Sequence, residues 1–169
     1  MAVLEVLKYP NPALKSKAMP VKEIDSELRG LINDMAETMY ALSAVGLAAP
    51  QVGKLLKVAV IDVTPKAEGK NLIVLINPRI VAKEGETVLE EGCLSIPDYR
   101  EEVKRWGRVK VEAMDQEGNI REIEGEGFLS IALQHETDHL DGMLIIDRIS
   151  SLKRSIFKQT MKKKLLAKD

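Results

Sequence analysis

A chain of 169 residues suffices for one domain with a sizeable buried core, and its 45% hydrophobic and 30% charged content is that of a folded globular protein. Its 25 Lys and Arg nearly balance 26 Asp and Glu, so the net charge of −1 offers no long-range field to draw it onto DNA or an acidic membrane. No apolar run approaches the roughly 20 residues of a membrane helix, and the start MAVLEVLKYPNP lacks the basic, apolar and cleavage regions of a signal peptide; a cytoplasmic location with no membrane and no DNA partner is expected.

In chain order, the segment from Asp25 to Leu42 spaces Leu28, Leu31, Ile32, Met35 and Met39 as an amphipathic helix does, with Asp25 or Ser26 as N-cap. AVGLAAPQVG follows as a small-residue loop. Strands are predicted at Lys57–Val63, Leu72–Ile76, Val88–Glu90, Arg108–Met114 and Ile120–Glu124, the last two joined as a hairpin around Gln116–Asn119. In EEGCLSIP, Gly92 permits a close backbone approach and Pro97 is expected to end the strand-like run. A second, buried helix covers Phe128–Leu140 and stops at Gly142. The last twenty residues, Ser150–Asp169, form a third helix with seven basic side chains against one aspartate, seated by Leu152, Ile156 and Leu165. Strands in the middle with helices before and after predict an α+β fold, small antiparallel sheets around a central helix, in a single domain spanning 1–169.

That central helix contains QHETDH, an HExxH motif. Positions i and i+4 share a helix face, so His135 and His139 can hold one ion, while Glu136 lies about 100° around the helix, where a carboxylate can serve as general base without being a ligand. A bound metal brings the pKa of its water towards neutrality, and the carboxylate takes the proton as a carbonyl carbon is attacked. Catalytic sites of this kind have three protein ligands. The chain holds two histidines and no Glu beyond Glu136. Asp141, Asp147 and Asp169 offer carboxylates, but Cys93 is the best remaining donor, and a soft thiolate favours Fe(II), Zn, Ni or Co over Mg or Ca. Asp138 and Asp141 read first as solvated surface acids, with acceptance of an imidazole N–H as the alternative. The loop has neither the Walker nor the GxGxxG pattern, so its glycines fit the close approach of a peptide-like backbone, and Gln51 offers an amide donor for a developing oxyanion.

Together, GLAAPQ, EGCLS and QHETDH, in this order, resemble the bacterial peptide deformylases over essentially the whole chain. The resemblance implies removal of the formyl group from the N-formylmethionine that begins nascent bacterial polypeptides, releasing formate. It implies Cys93, His135 and His139 as ligands of one divalent transition metal, often iron(II) in the cell and then sensitive to air. Glu136 would be the acid and base, with Gln51 and the backbone N–H of Leu94 holding the oxyanion. The substrate backbone would pair with Val45, Gly46 and Gly92, and the methionine would enter a pocket formed by Phe128, Ile131 and Ala132 with Glu91 at its edge. Glu91 and Arg105 would form a supporting ion pair, and Arg100 would lie near the extended peptide. Relatives working beside the ribosome suggest a docking role for the basic C-terminal helix. One departure is Ala44, where the family usually has the first Gly of Gly-x-Gly, so the loop must accept a Cβ. Two other classes share parts of the pattern: a metal-dependent endopeptidase, and a noncatalytic binding protein with a structural metal.

Overall fold

The computed structural model describes residues 2–64 and 71–167. Helix α1 (Ser26–Ala41) begins at Asp25, whose carboxylate accepts the N–H of Leu28, so the expected cap is the observed one. Strands β1 (Gly46–Ala48), β2 (Val58–Ile61), β3 (Ile73–Glu84), β6 (Arg108–Met114) and β7 (Ile120–Glu126) form an antiparallel sheet in the order β1-β2-β3-β6-β7. Strands β4 (Thr87–Cys93) and β5 (Ile96–Arg105) form a separate two-stranded ribbon. Helix α2 (Phe128–Leu140) follows β7, and α3 (Ser151–Ala167) ends the described chain. The α+β architecture and the central HExxH helix are as expected.

The sheet is covered on both faces. Strand β2 is buried along its whole length: Val58 and Val60 join Leu28, Ile32, Met35 and Met39 of α1, while Ala59 and Ile61 join Ala132, Leu133 and Leu140 of α2. A period of two thus divides one strand between two helices. Gly125 of β7 lets α2 approach closely, since a Cβ there would lie 2.7 Å from Leu133 Cδ1 and 3.1 Å from the Ser130 nitrogen. Past the end of α2, Gly142 has φ +75° and its N–H returns to the His139 carbonyl, the left-handed stop that the sequence predicted.

Several expectations require correction. Strand β3 continues to Glu84, well beyond Ile76, through irregular pairings on either side of Arg79–Ile80. Asn77, at φ +53°, both donates to and accepts from the Val21 backbone there. β1 lies within the segment read as a loop. Pro97 does not end a strand: β5 starts at Ile96, Cys93 pairs with Ile96, and the register then shifts so that Gly92 faces Arg100. Helix α3 is present, with the expected Lys168 and Asp169 outside the described residues. It is seated differently, however: Leu152, Ile156 and Leu165 are exposed, and Phe157 is the side chain buried, against Tyr9 and Tyr99.

Candidate metal centre and active site

Two rigid elements meet at the site. Helix α2 carries His135, Glu136 and His139, and the end of β4 brings Cys93 against them. Cys93 Sγ lies 3.4 Å from His139 Nε2, which lies 3.2 Å from His135 Nε2. All three donor atoms fall within 4.8 Å of one another. Metal–nitrogen bonds of about 2.0–2.1 Å and metal–sulfur bonds of about 2.3 Å around a tetrahedral ion give edges of roughly 3.3 Å for N···N and 3.6 Å for N···S. The observed separations are those edges to within a few tenths of an ångström, so the donor set fits one ion.

The electrostatics agree. Burial alone would raise the Cys93 thiol, but the His139 and His135 imidazoles beside it hold it well below its ordinary value, as a thiolate. Burial alone would lower His135, yet Cys93 and the Glu91 carboxylate hold it well above its ordinary value; the proton it retains is one that a cation displaces. Its Nδ1 lies 3.0 Å from Glu91 Oε1, which leaves Nε2 to face Cys93 and His139.

Glu136 is 4% exposed, and its Oε1 is buried without a hydrogen-bond partner. Burial, with the Cys93 charge adding to it, raises its carboxyl above the ordinary value even against the nearby His135, His139 and Arg105 charges. A carboxyl so disposed holds a proton more readily than an exposed one, as a group that takes up and returns a proton during hydrolysis must. Gly46 of β1 abuts it: a Cβ at that position would stand 2.5 Å from Glu136 Oε2. The Gln51 amide is fixed at both ends, Oε1 accepting the Ala48 N–H at 2.9 Å while Nε2 donates to Ser95 Oγ at 3.1 Å and to Cys93 Sγ at 3.6 Å.

These groups line one cavity of about 480 Å³, together with Val45, Gly46, Glu91, Gly92, Leu94, Arg100, Phe128, Ile131 and Ala132. His139 is not among its walls and stands behind His135 and Cys93. Strand β1 borders the cavity at one sheet edge and β4 at another. Ala44 also lines it, without a positive φ; the left-handed residue of the loop is Ser43, at φ +54°. The Cβ is therefore accepted on ordinary backbone. Arg100 is held by Glu90, through its Oε1 at 3.1 Å and its carbonyl at 3.2 Å.

Three features escaped the sequence reading. Ser95 orients Gln51, although it lies in the quoted EGCLS segment. Glu91 lines the cavity and forms the expected ion pair with Arg105 through both oxygens, but one of them also accepts from His135, a contact that was not anticipated. Asp138 is neither solvated nor bonded to an imidazole; it is buried between Arg105 and Arg148. No spacing rule links these residues, since the contacts join separate segments: the β4–β5 turn to Gln51, β4 and β5 to α2, and Arg148 back to α2.

A thiolate and two imidazoles around one point, with a buried carboxylate alongside, define the class of divalent-metal hydrolase sites. Comparison with known proteins narrows the class. A model of the polypeptide deformylase family matches residues 3–155. A peptide deformylase of Thermodesulfovibrio yellowstonii is 51% identical over 164 residues, covering 97% of this chain and 99% of the relative. The crystal structure of a peptide deformylase from Legionella pneumophila superposes with a TM-score of 0.90 at 43% identity, covering 99% of each chain. That of Synechococcus elongatus in complex with actinonin gives 0.88 at 38% identity, covering 95% of this chain and 87% of the other. The chain belongs to the polypeptide deformylase family.

Proposed function

We propose that this chain hydrolyses the formyl group from the N-terminal formylmethionine of newly synthesised polypeptides, releasing formate. The observation that carries the reading is the Cys93, His135, His139 and Glu136 constellation opening into a cavity flanked by the edges of β1 and β4. An extended peptide can add to those edges through main-chain hydrogen bonds at Val45, Gly46 and Gly92, a mode that reads backbone without demanding a sequence. Phe128, Ile131 and Ala132 supply an apolar wall for the methionine side chain, and Arg100 stands beside the outgoing chain. The whole chain is read as a single catalytic domain.

Cys93, His135 and His139 would hold the metal, whose chemistry is to polarise the carbonyl and to make water nucleophilic at neutral pH. As water adds to the formyl carbon, Glu136 takes its proton. Gln51 Nε2 and the Leu94 N–H donate to the oxygen on which negative charge develops. Glu136 then returns the proton to the amine nitrogen as the C–N bond breaks, which leaves formate and a free N-terminus. Glu91 supports this work by holding His135 rather than by touching substrate.

The metal in the cell is read as Fe(II), with Zn, Ni and Co as ions that the same donors accept. No described helix is long and apolar enough to cross a membrane, and a cytoplasmic site of action suits nascent chains as substrate. The exposed Lys158, Lys162 and Lys163 side chains of α3 suit contact with ribosomal RNA. Because Phe157 seats α3 in the core, charge reversal of those lysines, rather than truncation, tests it: co-sedimentation with ribosomes should weaken, and unchanged co-sedimentation rejects the contact.

Formate release from formyl-Met peptides by protein purified without air, with its metal content measured, tests the activity. Acetyl-Met peptides should be processed poorly. Equal turnover of both, or cleavage of internal bonds, would replace the reading with that of an endopeptidase.

A further inference from the structure

His135 stands at the end of a chain of charges that continues to the protein surface. Glu91 Oε1 accepts from His135 Nδ1 and, at 2.9 Å, from Arg105 Nη2, while Glu91 Oε2 accepts from Arg105 Nε at 2.9 Å. The remaining guanidinium nitrogen, Arg105 Nη1, donates to Asp138 Oδ2 at 2.6 Å. Asp138 accepts in turn from Arg148, Oδ1 from Nη2 at 2.8 Å and Oδ2 from Nε at 3.1 Å. Glu91, Arg105 and Asp138 are 6%, 5% and 7% exposed, whereas the Arg148 side chain is 43% exposed. Arg148, Asp138 and Arg105 border a second cavity of about 390 Å³, which shares no residue with the first.

We propose that Asp138 and Arg148 are positioning residues for the metal centre, acting on His135 through Arg105 and Glu91. This rests on the metal-site reading above. Without Arg148, the three buried groups Glu91, Arg105 and Asp138 carry a net charge of −1, and burying an uncompensated charge is strongly unfavourable. Arg148 brings the sum to zero and so permits Asp138 to be buried. Asp138 in turn occupies Arg105 Nη1. This limits how far Arg105 neutralises Glu91 and keeps Glu91 a strong acceptor for the His135 N–H. A strong acceptor fixes the ring orientation and raises the basicity of the Nε2 that faces the ion. The two-point Glu91–Arg105 contact fixes direction as well as charge.

The test is the dissociation constant of Co(II) for the full-length chain, measured by chelator competition, with thermal unfolding of each metal-free variant reporting packing separately. Outer partners of metal-bound histidines are worth about 10–100-fold in affinity, so Asp138→Asn should weaken Co(II) by about 10-fold and Arg148→Met by about 3-fold, with Arg148→Lys recovering most of the loss. In a Glu91→Gln background both substitutions should have less than about a 2-fold further effect, because the route through that carboxylate is already cut. A purely structural network would not be silenced in this way. The relay is overturned if folded Asp138→Asn and Arg148→Met bind Co(II) as the parent does, or if their losses persist undiminished beside Glu91→Gln. Should Asp138→Asn fail to fold, Arg148→Met, altered only at the half-exposed end, decides alone. Failure of the parent itself to bind Co(II) would be a different result: it would overturn the metal-site reading, and the relay with it.

Discussion

Glu136 is a carboxylate buried with one oxygen unpaired, an arrangement that costs stability unless a proton or a reacting group meets that oxygen. Glu136→Gln keeps the shape and removes the proton traffic. Deformylation should fall by about 10²–10⁴-fold while metal content is unchanged, as measured by formate release and metal analysis on the same sample. Gly46 is the complementary case. A Cβ there would lie 2.5 Å from Glu136 Oε2 and 2.8 Å from its Cδ, so Gly46→Ala must push the carboxylate from its seat. It should lower kcat strongly and destabilise the fold by about 1–3 kcal/mol, read by urea unfolding. The two variants separate chemistry from placement. The place of Cys93 beside the two histidines was legible from the sequence, because ligand counting left few other donors. The Ser95–Gln51 and Glu91–His135 bonds were not, because they depend on where the end of the β4–β5 hairpin meets segments distant in sequence.

Elements differ in how openly they declare themselves. The repeat of apolar residues in α1 and the HExxH helix, with its Gly142 stop, are local signals, and both helices were anticipated almost to the residue. β1 is three residues long and β5 is charge-rich, with Ile96, Val103 and Arg105 as its buried positions. Neither carries a periodic pattern that a strand rule can detect. In α3 the apolar residues are spread around the helix, and which of them is buried depends on Tyr9 and Tyr99, distant in sequence. Phe157, 3% exposed, has ring centroids at 5.2 Å from Tyr9 and 4.7 Å from Tyr99. Phe157→Ala should therefore cost about 3–5 kcal/mol of unfolding free energy, whereas Leu152→Ala, 69% exposed, should change it by no more than about 0.5 kcal/mol. Denaturant titration of the pair distinguishes this seating from one in which Leu152 anchors the helix.

At the scale of the molecule, the segment after α2 is tied back to the N-terminal region, and charge takes part in the closure. Asp147 Oδ2 accepts from Lys15 Nζ at 2.7 Å and from the Leu144 N–H at 2.8 Å, and the Ala18 N–H donates to the Leu140 carbonyl nearby. Burial would raise the Asp147 carboxyl, but the Leu144 N–H and the Lys15 ammonium outweigh it and hold it below its ordinary value. A carboxyl depressed in the folded state binds its proton more weakly there than in the unfolded chain. Its contribution to stability is therefore present above the unfolded value of about 3.9 and is lost as the pH falls through the lower folded value. The Asp147 and Lys15 side chains are 26% and 42% exposed, so solvent screens the pair and its worth is on the order of 1 kcal/mol. Asp147→Asn should accordingly lower the unfolding free energy by about that amount at pH 7, the difference shrinking below about pH 4 as the parent carboxylate is protonated. Urea titrations of parent and variant from pH 7 down to the acid limit of folding measure this difference directly. A gap that stayed constant across that range would assign the loss to the Leu144 cap geometry instead of the charge.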